Sequence, residues 1–138
     1  MHQYLPHIGL LTDFYQLTMA QAYYEHKPHD RDAVFQFTFR KIPFHGHWTI
    51  AAGIDDAMSF INNFHFDEPS LEFLRTIRQS NQPLFSEDFL SLLKTSKIHL
   101  DVWGVNNGEV VFPHEPILRV EGPLYLCQLL ETPLLNII

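Results

Sequence analysis

The chain has 138 residues, one cysteine and a formal net charge of −7, with 46% hydrophobic and 14% aromatic residues. That size and composition fit a single domain with one core and argue against an intrinsically disordered chain. Nine basic residues scattered over an acidic chain make a poor nucleic-acid binder, and the lone Cys127 excludes an internal disulfide framework.

The first predicted element is a helix. Asp13 and Gln16 have the spacing of a capping box. Leu10, Phe14, Leu17 and Tyr24 then fall on one helical stripe, and Leu11, Tyr15, Thr18 and Ala22 form a second, smaller face. A helix with two such faces belongs between layers or at an interface. Lys27-Pro28-His29-Asp30 ends it. Ala33 to Lys41 alternates as a half-buried strand, with Phe35, Phe37 and Phe39 on one side and Gln36, Thr38 and Arg40 on the other. Pro43-Phe44-His45-Gly46 turns the chain, and Trp48 to Ala52 reads as a second strand. A helix follows Gly53, with Asp55 and Asp56 in its first turn and Ile54, Ala57, Met58 and Ile61 on one face.

Two short helices come next. One starts near Pro69, with Leu71, Leu74 and Ile77 inward and Arg75 and Arg78 in its last turn. The other starts at Ser86, a favoured N-cap, with Phe89, Leu90 and Leu93 inward. Leu100–Val105, Val110–Phe112 and Ile117–Val120 then read as short strands separated by Asn106-Asn107-Gly108 and Pro113-His114-Glu115-Pro116. Leu124 to Ile138 is a helix that is apolar almost all round. Pro123 is expected at its first position, and Pro133 is expected to kink or end it. With no capping glycine or basic last turn, this helix is expected to bury its surface against something outside residues 1–138. Together the elements predict one α+β domain over 1–138, with a mostly antiparallel, partly barrel-like sheet and packed helices. There is no signal-peptide pattern and no run of roughly 18 apolar residues, so a soluble, cytoplasmic setting is expected.

Few residues carry chemistry in this pattern. Tyr15 lies off the main apolar stripe, so it either packs within the domain or offers its ring to a neighbour. Asp13 reads first as a helix cap. Arg40 has a planar fork suited to carboxylate or phosphate, or it is a solvated strand end or a subunit ion pair. His45 and His47 flank Gly46, but a zinc site needs three or four ligands and none joins them, so no metal site is expected. Glu131, Thr132 and Asn136 read as structural, and Cys127 as a buried, inert thiol.

Three stretches carry a family resemblance: Leu10-Leu11-Thr12-Asp13-Phe14-Tyr15-Gln16-Leu17-Thr18-Met19; Phe39-Arg40-Lys41-Ile42-Pro43-Phe44 with Ala51-Ala52-Gly53; and Val110-Val111-Phe112-Pro113-His114-Glu115-Pro116, followed by Val120-Glu121-Gly122-Pro123 and by Gln128 to Asn136. In this order they resemble the N-terminal domain of nicotinate phosphoribosyltransferases. The resemblance implies an α/β-hammerhead type of domain, shared with quinolinate phosphoribosyltransferase, next to an α/β barrel that this chain does not contain. It implies transfer of phosphoribosyl from phosphoribosyl pyrophosphate to nicotinate, giving nicotinate mononucleotide for NAD salvage. It implies that ATP and Mg²⁺ serve the complete enzyme and that this acts as a homodimer, and no cofactor is expected on these 138 residues alone. It implies that Tyr15 stacks on nicotinate; Asp13, besides its capping role, and Arg40, as a phosphate or interface residue, are carried as further substrate-binding candidates. The phosphate sites and the phosphohistidine belong to the barrel, so no catalytic residue is expected here. One departure is visible: Asn107-Gly108-Glu109 stands where the family usually has Glu-Gly. A related nicotinamide or quinolinate enzyme, or a stand-alone oligomerisation or binding module, are the other readings.

Overall fold

The computed structural model describes residues 6–26, 29–41 and 46–138. The turn through Pro43, Phe44 and His45, and with it the His45–His47 pairing, lies outside the described residues. A short 3₁₀ turn, Ile8–Leu10, leads into helix α1, Phe14–Glu25. Strand β1 is Asp32–Phe37 and β2 is Thr49–Ile50. Helices α2, Ile54–Asn63, and α3, Glu68–Thr76, follow. A small hairpin of β3, Arg78–Gln79, and β4, Gln82–Pro83, precedes α4, Glu87–Thr95. Then come β5, Asp101–Gly104, β6, Val110–Val111, and β7, Leu118–Pro123, and finally α5, Leu124–Ile137.

The α+β class and the antiparallel pairing are as expected, but the strands form three small sheets instead of one partly closed sheet. The largest has the order β1-β7-β5, and β2 pairs with β6 and β3 with β4. In the central sheet Phe35 lies opposite Val120 and Phe37 opposite Leu118, so the predicted phenylalanine face meets the buried face of β7. The β1 ladder stops at Phe37 instead of continuing to Lys41. Beyond it only single bonds remain, such as His114 N–H to the Phe39 carbonyl at 2.9 Å.

Helix α5 is the centre of the domain. It packs against α1, α2, β1 and β7, and buries Leu126, Leu129, Leu130 and Leu134 completely or almost so. Here the sequence expectation is corrected. The all-round apolar surface of α5 is buried chiefly by its own domain, and only Leu135 in its last turns stands clearly exposed. Pro133 neither ends the helix nor leaves the core: α5 runs through it to Ile137, and Pro123 sits one position earlier than expected, at the N-cap.

The other helices follow their local signals. Asp67 caps α3 by accepting from Ser70 N–H, and Ser86 caps α4 by accepting from Phe89 N–H, as a short polar side chain must do for the orphan amides of a first turn. Arg78 does not close α3. It opens the β3–β4 hairpin, whose tip residues Ser80 and Asn81 both have positive φ, 51° and 65°, as a type I′ turn requires. Asn107 has a role the sequence did not reveal: its Oδ1 accepts from Ile54 N–H at 2.9 Å, so the 106–108 turn caps α2 from outside, and its Nδ2 donates to Asp55 at 2.8 Å. The residues that depart from the family pattern are thus engaged within the domain.

Candidate functional site

Helix α1 has no simple amphipathic face. Gln16, Leu17 and Ala20 are buried, whereas Leu11, Phe14, Tyr15 and Met19 are exposed. Phe14 was expected on the buried stripe. It lies instead on the surface at 52% exposure, resting edge-on against Phe85 with ring centroids 6.2 Å apart. The reason is that α5 occupies the side of α1 that carries Gln16, and Gln16 takes the buried place with a polar amide.

That amide is the hub of the site. Gln16 is fully buried. Its Oε1 accepts from the Asp13 backbone N–H at 3.3 Å and from the Thr12 hydroxyl. Its Nε2 donates to Glu131 Oε2 at 3.2 Å and approaches the Tyr15 hydroxyl at 3.5 Å. Gln128, the other polar residue in this stretch of α5, donates to the same Glu131 oxygen at 2.8 Å and accepts from the Tyr23 hydroxyl at 3.3 Å. The seam between α1 and α5 is therefore polar and internally satisfied, which is what the buried amides of Gln16 and Gln128 require.

Asp13 belongs to the same seam. The capping box with Gln16 forms, and the Asp13 carboxylate faces the first turn without closing a full hydrogen bond to it. Its Oδ2 instead accepts from the Thr132 hydroxyl at 3.0 Å, which pins the start of α1 to the last turns of α5. Asn136 donates back to the Thr132 carbonyl at 2.9 Å, so Asn136 binds within its own helix while the Thr132 hydroxyl reaches across to Asp13.

Tyr15 is thus brought together with Asp13, and the residue is 48% exposed. The start of α1 is a solvent-facing aromatic and aliphatic surface of Leu11, Phe14 and Tyr15 mounted on a rigid polar seam. Arg40 lies apart from this cluster. It is exposed beyond the end of β1 and forms no ion pair with a described residue. Its neighbours Phe39 and Lys41 line an open groove of about 270 Å³ that also includes Ile50 and Ile138.

Elsewhere the chemistry is sparse. Among the described residues no group of three or more His, Cys, Asp or Glu side chains could hold a metal ion, and no helix is long and apolar enough to cross a membrane. His47 is exposed. Burial pushes the Cys127 thiol up to about 11, while its Sγ lies 3.6 Å from the Gly122 carbonyl. Beside the segment that leads into α1, Ser70 and His7 hold the Asp67 carboxyl down at about 2; this cluster joins that segment to the cap of α3.

The exposed tyrosine at the start of α1, the phenylalanine strand and the Gly53 helix start lie within one matched family. The model of the nicotinate phosphoribosyltransferase (NAPRTase) N-terminal domain matches residues 10–138. The chain belongs to this family. Among relatives of this NAPRTase N-terminal domain, the nicotinate phosphoribosyltransferase of Caenorhabditis elegans is 44% identical over 130 residues, covering 94% of this chain and 23% of that protein. That of Bacillus subtilis (strain 168) is 36% identical over 131 residues, covering 95% of this chain and 26% of that protein. The crystal structure of human nicotinic acid phosphoribosyltransferase matches with a TM-score of 0.78 at 36% identity, covering 94% of this chain and 25% of that one. A nicotinate-nucleotide pyrophosphorylase from Pyrococcus furiosus shares the fold at a TM-score of 0.59 and 18% identity, covering 100% of this chain and 28% of that one. The chain spans about a quarter of the length of the curated relatives it matches.

Two parts of the site were not legible as function. Gln16 was assigned to the capping box alone, and Glu131 to helix structure. The available signal was Gln128 and Glu131 three residues apart on an otherwise apolar helix, a spacing that places both on one face.

Proposed function

We propose that this domain is the part of a phosphoribosyl-transferring enzyme that presents an aromatic face to nicotinate. The complete enzyme joins nicotinate to the phosphoribosyl group of phosphoribosyl pyrophosphate, releases pyrophosphate and yields nicotinate mononucleotide, with ATP hydrolysis and Mg²⁺ coupled to the reaction. The observation that carries this reading is Tyr15: a half-exposed residue on a helix whose first turn is anchored by a buried amide and a half-buried carboxylate. A ring fixed from behind and open in front suits a planar aromatic ligand, because offset stacking adds about 0.5–1.5 kcal/mol to area burial only when the ring is already oriented.

Asp13 acts through the fold, holding the start of α1 against Thr132. Arg40, exposed and without an ion pair among the described residues, fits a phosphate group or a subunit contact. The enzyme works as a cytoplasmic homodimer in this reading. The nicotinate assignment is supported by the matched relatives, which are named nicotinate phosphoribosyltransferases at 36–44% identity. The test is pyrophosphate release by the full-length gene product with phosphoribosyl pyrophosphate, ATP and Mg²⁺. Nicotinate should support turnover and nicotinamide should not. A preference for nicotinamide would overturn the substrate assignment.

A further inference from the structure

The orientation of the Gln16 amide has a chemical consequence for Tyr15. A carboxylate can only accept, so the amide end that faces Glu131 must be the NH₂ end, and the carbonyl end must face the Asp13 N–H. Turning the amide over would set oxygen against carboxylate and NH₂ against N–H in a fully buried place. Gln128, donating to the same Glu131 oxygen, reinforces that assignment. The second Nε2 hydrogen of Gln16 is then directed toward the Tyr15 oxygen, over a long contact of 3.5 Å. Toward the protein, the phenol oxygen is thus an acceptor. Its own proton has no acceptor among the described residues, and Tyr15 as a whole is 48% exposed.

We propose that Gln16 and Glu131 are positioning residues that make Tyr15 a hydrogen-bond donor, as well as an aromatic face, toward an anionic oxygen of the bound substrates. This rests on the reading of Tyr15 given above and adds the direction of its proton. The acceptor is either the pyridine carboxylate or a phosphate oxygen, and both present the same charge-assisted geometry.

The experiment is a double-mutant cycle in the full-length gene product, with KM for nicotinate and for phosphoribosyl pyrophosphate measured separately. Tyr15→Phe keeps the ring and removes the proton. It is expected to raise one KM about tenfold, the size of a hydrogen bond to a charged acceptor, with kcat changed by less than roughly twofold. The KM that rises identifies the acceptor. Gln16→Met fills the same volume without donors. It is expected to raise the same KM in the parent protein and to add nothing in the Tyr15→Phe background. A merely structural role for Gln16 would leave its effect intact in both backgrounds and overturn the proposal. If Tyr15→Phe leaves both KM values unchanged while Tyr15→Ala raises the nicotinate KM, stacking stands and this inference fails. If both are silent, the underlying reading fails as well. Thermal melts accompany each variant. Should Gln16→Met melt too low to assay, Glu131→Leu, which removes the acceptor that orients the amide, takes its place in the cycle.

Discussion

Gly53 supplies both the left-handed start of α2 and the seat for the end of α5, and the two demands can be measured apart. Its φ is +85°, and a Cβ placed on it would lie 2.3 Å from the Ile137 carbonyl oxygen and 3.1 Å from the carbonyl carbon. Both are backbone atoms, so no side-chain rotation relieves the contact. Gly53→Ala therefore combines the left-handed penalty of about 1–2 kcal/mol with an overpacking term of about 1–3 kcal/mol. Gly108 is the internal control: its φ is +92°, and nothing lies within 4 Å of its added Cβ. Gly108→Ala carries the conformational penalty alone. The two variants should differ by about 2 kcal/mol, or about 6–10 °C in Tm for a domain of this size, read by circular dichroism melts of the purified chain. Equal losses for the two variants would show that α5 does not seat on Gly53 as described.

Three further outcomes follow from the same geometry. Asp67 is held at about 2 by Ser70 and His7, against an ordinary value of 3.8. A depressed carboxyl contributes stability that is present above its unfolded value and lost as pH falls from about 4 to about 2. Asp67→Asn, which keeps a good cap, should flatten that acid limb in urea titrations, and an unchanged limb would refute the assignment. The Cys127 thiol, buried and raised to about 11, should resist alkylation at pH 8 in the folded chain and react fully in denaturant; rapid labelling of the native protein would contradict its place under β1 and β7. The isolated chain of residues 1–138, given nicotinate, phosphoribosyl pyrophosphate, ATP and Mg²⁺, should release no pyrophosphate above blank, and measurable release would place catalytic groups in this domain.

The elements legible in the sequence were those with local signals. Asp13-Gln16, Ser86 and the Phe35-Phe37 alternation each encode their structure within a few residues, and each appears where read. What was misread depends on partners distant in sequence. Phe14 looked like core by periodicity, but α5 meets α1 through Gln16, whose burial is made possible by Glu131, 115 residues away. Pro133 looked like a stop, yet the surrounding core keeps α5 helical through it. The apolar surface of α5 looked like an interface because its covering layers, α1 and the β1-β7 pair, could not be seen to converge on it. At the site, the pattern left Tyr15 open between packing and contact, and only the family resemblance singled it out. The seam that orients it could not be read, because it joins two helices at opposite ends of the chain.

The central claim is that Tyr15 is the nicotinate contact this domain contributes. The direct measurement is nicotinate-dependent formation of nicotinate mononucleotide by the full-length gene product, wild type beside Tyr15→Ala. The wild type should form product, and the variant should show a nicotinate KM raised about tenfold, in line with one lost stacking partner, with an unchanged melting temperature. A wild type that forms no nicotinate mononucleotide, or a Tyr15→Ala variant with an unaltered nicotinate KM, would contradict that claim.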